Sequence, residues 1–189
     1  MNLARDRRSS WGRCRTIAII APFAALLLTS SLCAQETPRP RRSQPASVMQ
    51  ALGATRVEVR YSRPAARGRA LFGALVPWGR PWTPGADTAT SIAFSNPVRV
   101  NGQPLAAGTY SIWMIPAEGP WTIIFSSAHP VFHLPYPSGR DVLRVESTPR
   151  QGPHMELLTF YFPEVEGLTG ELVMHWGTTV VPLRIEPPA

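Results

Sequence analysis

Arg63, Arg67, Arg69 and Arg80 are interleaved with Trp78 and Trp82, and Asp87 follows close behind. A guanidinium is a planar fork of donors that grips a carboxylate or phosphate through two parallel hydrogen bonds. An indole offers a flat apolar face against which a sugar ring can lie, and a few convergent polar groups then fix its orientation. The segment therefore holds the ingredients of a site for a small anionic or sugar-like ligand, with Arg63, Arg67, Arg69, Trp78, Arg80, Trp82 and Asp87 as the candidate ligand-binding residues. The same residues have a second use. Large aromatics usually bury, and arginines can lock a loop by pairing with Asp87 or with backbone carbonyls. A closed loop with every arginine paired marks packing, whereas a cleft holding an unpaired arginine marks binding.

Other chemistries find less support. Zinc needs three or four ligands at workable spacing, and the chain has four histidines, His129, His133, His154 and His175. His129 and His133 would share a face only on a helix, which Pro130 and Pro135 oppose. His175 alternates with Met174 and Trp176 and is expected to face solvent. No metal site and no cofactor are assigned. No Gly-x-Ser-x-Gly elbow occurs, and Ser138-Gly-Arg-Asp141 reads as a turn. Both cysteines, Cys14 and Cys33, precede residue 35, so the body of the chain has neither a thiol nucleophile nor a disulfide. Two carboxylates could serve glycoside hydrolysis, but spacing singles out no pair among Asp87, Asp141, Glu146 and Glu156. Catalytic residues stay unassigned, and a hydrolase with its site beside the 63–90 loop remains the alternative to a binding module. A structural envelope protein is the third reading.

The elements that must position these residues read as strands. In 55–62, Val57, Val59 and Tyr61 fall on one face and Arg56, Glu58 and Arg60 on the other. Further strands are expected at 88–94, 97–100, from Leu105, at 109–116, 121–126, 142–146, 154–162, 170–176 and 178–185. Asn101-Gly102 is a hairpin signal, residues 117–120 turn the next pair, and Gly177 is read as the tight point between the last two strands. No helical periodicity and no internal repeat occur. The fold expected is all-β, an antiparallel β-sandwich, jelly-roll-like, with a long ordered Arg/Trp-rich loop. Its core is expected to draw on Val57, Val59, Tyr61, Ile92, Phe94, Tyr110, Ile112, Met114, Ile124, Leu158, Phe160, Met174 and Trp176.

That loop is too long for an ordinary connection, and Leu71, Phe72, Leu75, Val76, Trp78 and Trp82 are too apolar for a solvated one. It is read as a flap folded over the sandwich. The motifs Tyr61-Ser-Arg-Pro, Leu71-Phe-Gly, Leu75-Val-Pro-Trp-Gly and Trp82-Thr-Pro-Gly-Ala-Asp-Thr-Ala-Thr90 resemble the uncharacterised secreted bacterial family called domain of unknown function 2911. The resemblance continues through Val100-Asn-Gly, Leu105-Ala-Ala-Gly-Thr-Tyr-Ser111 and Trp121-Thr-Ile-Ile-Phe125, and covers most of 47–183. It implies an exported protein with a β-rich domain, and no activity or site residue comes with it. The family pattern has Asn where Asp87 stands, which weakens any role requiring a carboxylate there.

Composition bounds the rest. The 189 residues suit one domain with a real core. The formal charge of +7 invites a nucleic-acid reading, but its distribution opposes one. Residues 1–34 carry Arg5, Arg7, Arg8, Arg13 and Arg15, then an apolar run from 17 to 28, then small residues up to Ala34. This is the pattern of a secretory signal peptide cleaved near Ala34, too short for a membrane span. A lipid anchor on Cys33 is the alternative, disfavoured by Leu32 just before it. Residues 35–47 are rich in Pro and Arg and read as a flexible tether, with 48–189 as the single domain. After cleavage the charge falls to +3. Residues 35–80 hold nine arginines against two acids, and 81–189 hold five against nine. The expected product is a secreted or periplasmic protein with no nucleic-acid partner, met by a small anionic or carbohydrate ligand or a cell-envelope component.

Overall fold

The computed structural model describes residues 41–188. The expected signal peptide, Cys33, the cleavage point and the tether as far as residue 40 lie outside the described residues. Ten strands follow in order: β1 (Gln44–Leu52), β2 (Thr55–Arg63), β3 (Ser91–Phe94), β4 (Val98–Val100), β5 (Gln103–Leu105), β6 (Gly108–Ile115), β7 (Trp121–Ser126), β8 (Asp141–Ser147), β9 (Arg150–Glu166) and β10 (Thr169–Glu186). They form two antiparallel sheets, β1-β2-β3-β6-β7-β8 and β5-β4-β10-β9. The fold is an all-β sandwich, and the chain passes between sheets at β3→β4, β5→β6 and β8→β9.

Alternation builds the core. Val57, Val59 and Tyr61 of β2 face inward with Ile92 and Phe94 of β3, Tyr110, Ile112 and Met114 of β6, and Trp121, Ile123 and Phe125 of β7. Leu158, Phe160, Leu172, Met174, Trp176 and Leu183 meet them from the four-stranded sheet. Ile124 is buried as expected but belongs to a second cluster, with Trp113 and Ala89, on the outer face of the six-stranded sheet. Val131 and Tyr136 of the 127–140 segment pack over that cluster.

Turn chemistry fixes the hairpins. Asn101 and Gly102 both have positive φ, 46° and 78°, the pair a type I′ turn needs, and they join β4 to β5. Gly177 corrects the reading of the last strands. It joins no two strands; β10 runs through it without a break. With φ 60° it sits where the β9–β10 register shifts, so it accommodates a bulge inside one long strand.

The sandwich also begins earlier than the tether reading places it. Strand β1 takes in residues 44–47 and pairs with β2 from Gln44↔Arg63 to Leu52↔Thr55. Its inward side carries only Ala46, Val48, Gln50 and Leu52, an apolar signal too thin to stand out beside β2.

Candidate functional site

Cross-strand register places one row of side chains across the whole outer face of the six-stranded sheet. Ser47 stands opposite Arg60, Arg60 opposite Ser91, Ser91 opposite Ser111, Ser111 opposite Ser126, and Ser126 opposite Asp141. Residues directly opposite in an antiparallel pair share a face, so this row is mostly hydroxyls. The neighbouring row runs Met49, Glu58, Ala93, Thr109. Side chains this small leave the sheet uncovered between taller neighbours.

At the β7–β8 end the 127–140 segment fills the space. Trp113 Nε1 donates to Ser111 Oγ at 3.0 Å, and Ser126 Oγ donates to the Arg140 carbonyl at 3.2 Å. Towards β1 no described residue fills it, and a trough of about 890 Å³ remains. Arg41, Glu58 and Arg60 line it from one side, His129 from the other, and Ser62 and Ser91 contribute to its floor. Ser62 and Ser91 are only 7% and 8% exposed, and their hydroxyls, which bond no other described residue, stay open to the trough. Two hydroxyls left open on one floor can donate to a polar partner or accept from one.

The charged rim is ordered. Arg60 Nε donates to Glu58 Oε1 at 2.7 Å. That bond pulls the Glu58 carboxyl below its ordinary range and pushes the Arg60 guanidinium up. Desolvation lowers His129, which keeps its imidazole neutral near pH 7 and able both to donate and to accept. The trough thus offers guanidinium donors, one carboxylate acceptor, a neutral imidazole and free hydroxyls.

The flap arginines and tryptophans are not assembled into one cleft. Arg63 is a strut. Its Nε donates to the Leu158 carbonyl at 3.2 Å and its Nη2 to Thr159 Oγ1 at 2.8 Å, tying the end of β2 to β9. Arg67 contributes through its backbone, since its N–H donates to Glu156 Oε1 at 2.7 Å. Arg69 folds onto its own loop, giving Nε to the Ala66 carbonyl and Nη2 to the Ala65 carbonyl. Arg80 is exposed. Trp82 exchanges backbone hydrogen bonds with Met114, and its ring stacks on Trp176 at 6.0 Å and 10°. Trp78 stays 42% exposed, with its ring over Phe72.

Asp87 is exposed and has φ 64°; its carbonyl, not its carboxylate, accepts from the His133 N–H at 2.9 Å. A left-handed residue is best filled by Gly, Asn or Asp, so position 87 is chosen for its backbone. Only Arg69 and Trp78 of the seven candidates line a common cavity, a smaller one of about 350 Å³ beside β10.

The histidines divide. His175 corrects the solvent-facing reading, being 2% exposed. Its Nε2 lies 2.9 Å from the Pro153 carbonyl and its Nδ1 3.2 Å from Tyr161 Oη, because β9 departs from regular register beside it and brings Gly152 and Pro153 against the ring. His154 Nε2 lies 3.1 Å from Glu156 Oε2. This is a His–carboxylate pair of the sort that serves acid–base work, but neither of its partners touches a serine hydroxyl. Among the described residues no three His, Cys, Asp or Glu side chains converge as a metal site would require. No helix among them is long and apolar enough to cross a membrane.

The trough escaped the sequence reading because its signal is negative. Ser91-Ile-Ala-Phe94 and Thr109-Tyr-Ser111 carry small residues at each outward position where an exposed strand usually shows long charged ones.

A family described as protein of unknown function (DUF2911) matches residues 43–185. No curated protein and no solved structure matches the chain.

Proposed function

The chain belongs to the DUF2911 family, and we propose that it is an exported, non-catalytic binding module that holds a small anionic or sugar-like ligand in the trough on its six-stranded sheet. One observation carries this reading: Ser62 and Ser91, with hydroxyls that bond no other described residue, lie on the floor of a cavity of about 890 Å³ edged by Arg41, Arg60 and Glu58. That volume is in the range of small-molecule sites. A ligand with several hydroxyls and a carboxylate uses every group present. Its carboxylate meets a guanidinium, its hydroxyls donate to Glu58, and the two serines act as donor or acceptor as required. A bare divalent anion would meet Glu58 unfavourably, and a purely apolar ligand would leave the serines unpaired. The first 34 residues support export, by the signal-peptide pattern they carry.

Calorimetric titration of the secreted chain with trigalacturonic acid, maltotriose and sulfate tests the reading. Ser91→Leu puts a bulkier, apolar side chain on the floor of the trough. It is expected to lower saccharide affinity at least ten-fold while the far-ultraviolet dichroism and Tm stay as in the parent. A chain that binds neither saccharide, or a Ser91→Leu variant that binds as well as the parent, overturns the assignment.

A further inference from the structure

The flap and β10 enclose the second cavity, of about 350 Å³, and its chemistry is unlike that of the trough. Its walls are the rings of Phe72, Trp78 and Trp176, while Arg69, His154 and Thr178 supply its polar lining. Trp78 is the most exposed of these rings, at 42%.

Hydrogen bonding at this cavity is lopsided towards donors. Trp113 and Trp121 each give their indole N–H to an acceptor, Ser111 Oγ and the Ala117 carbonyl. Trp176 does not: it is 2% exposed, and its Nε1 is the buried side-chain polar atom that meets no partner among the described residues. A buried tryptophan N–H usually finds an acceptor, and leaving one unmet is unfavourable. Arg69 points the same way. Its two bonds to the Ala65 and Ala66 carbonyls fix the guanidinium, and no carboxylate among the described residues neutralises its charge. His154 is already engaged with Glu156.

Aromatic faces, a positioned guanidinium and an indole N–H without an acceptor together describe a ligand with a flat-sided ring and acceptor oxygens. We propose that this cavity binds a single acidic pyranose, a uronic-acid unit whose ring packs on the Trp78 and Phe72 side, whose carboxylate meets Arg69, and whose oxygen accepts from Trp176 Nε1–H. The N–H is closed off from solvent, so the oxygen reaches it as the lining side chains adjust. Leu71 lines the cavity and rests against Gly177. A backbone Cβ at residue 177 would stand 2.8 Å from Leu71 Cδ1, so the glycine gives this side chain its room. The cavity takes one ring where the trough takes several, and the proposal stands independently of the trough.

The test is an NMR titration of the ¹⁵N-labelled secreted chain, followed at the tryptophan indole N–H signals, with galacturonic acid, methyl glucoside and benzoate as probes. The Trp176 signal is identified by its loss in Trp176→Phe. Should that variant not fold, saturation transfer from the signals of its neighbours identifies it instead. Galacturonic acid is expected to move the Trp176 signal saturably. Arg69→Gln, in a variant whose far-ultraviolet dichroism shows it folded, is expected to weaken this response at least ten-fold, and Ser91→Leu to leave it intact. A Trp176 signal unmoved by galacturonic acid overturns the proposal. So does an Arg69→Gln variant that titrates like the parent, or a methyl glucoside or benzoate response as strong as that to galacturonic acid. Loss of the response in Ser91→Leu would return the ligand to the trough, and would overturn this site while leaving the other reading standing.

Discussion

Arg63 and Arg67 are four residues apart in a loop rich in arginine, and the structure gives them opposite jobs. The guanidinium of Arg63 is half-buried and donates to the Leu158 carbonyl and to Thr159 Oγ1. Arg67 is exposed, and what it contributes to Glu156 is a backbone N–H that any non-proline side chain would leave in place. Removing Arg63 strands a buried carbonyl, whereas removing the Arg67 side chain strands nothing. Hydrogen bonds to charged groups contribute about 1.5–3 kcal/mol, and partial exposure puts Arg63 at the lower end. At this chain length each kcal/mol moves Tm by about 2–4 °C. Arg63→Ala is therefore expected to lower Tm by about 3–6 °C, and Arg67→Ala to leave it within about 1 °C, both by differential scanning calorimetry. Equal losses in the two variants would contradict the division. The one caution at position 67 is its φ of 52°, which alanine tolerates no worse than arginine does. Asp87, with φ 64°, is likewise placed by its backbone, in a conformation that Asp and Asn adopt more readily than most residues.

At the scale of elements, the flap is attached to β9 as an extension of β2. The Leu158 N–H donates to the Pro64 carbonyl at 3.0 Å and the Ala66 N–H to the Glu156 carbonyl at 2.8 Å, so β9 gains a partner along an otherwise open edge. Glu156 adds its side chain, which accepts from the Arg67 N–H and lies against His154. The Arg67 amide is the main reason its carboxyl lies below the ordinary glutamate range, with His154 second. A carboxylate lowered in the folded state stabilises the fold at every pH above its ordinary value. That contribution is lost as pH falls through the lowered folded value. Exchange protection of the Arg67 amide is therefore expected to be constant from neutral pH down to the ordinary carboxylate range and to fall below it, while Glu156→Gln shows no such step. A step of the same size in Glu156→Gln would show that another group controls the flap. This attachment explains what could be read in advance. Clean alternation at Val57, Val59 and Tyr61 and the Asn101-Gly102 turn announced β2 and the β4–β5 hairpin, because period and turn chemistry are local. Strand β1 carries too little apolar contrast to announce itself, and Gly177 mimics a turn because a bulge and a turn demand the same φ. Proline, glycine and tryptophan in the flap signalled an ordered loop. Which arginine would meet a carbonyl of β9 depends on a strand almost a hundred residues away, and no local signal encodes that.

Across the whole molecule, charge is separated along the chain and the fold keeps it separated. Among the described residues, the arginines up to residue 80 lie just before β1, in β2 and in the flap, while Glu164, Glu166 and Glu171 gather near the β9–β10 turn with Arg184 among them. Arg41 and Arg60 therefore face the trough from the basic side, and both are exposed enough for salt to screen them. Raising ionic strength from about 0.01 M to about 0.15 M shortens the screening length from about 30 Å to about 8 Å. A carboxylate-bearing saccharide drawn to the trough by these charges should lose affinity over that range, while a neutral saccharide held by Ser62, Ser91 and Glu58 alone should not. The Kd for trigalacturonic acid is expected to rise about three- to ten-fold and that for maltotriose to stay within two-fold, both by calorimetry. Equal salt dependence of the two would remove the guanidiniums from the recognition and leave the hydroxyl floor as its whole basis. A salt response that survives Arg60→Gln unchanged would assign the electrostatic part to Arg41.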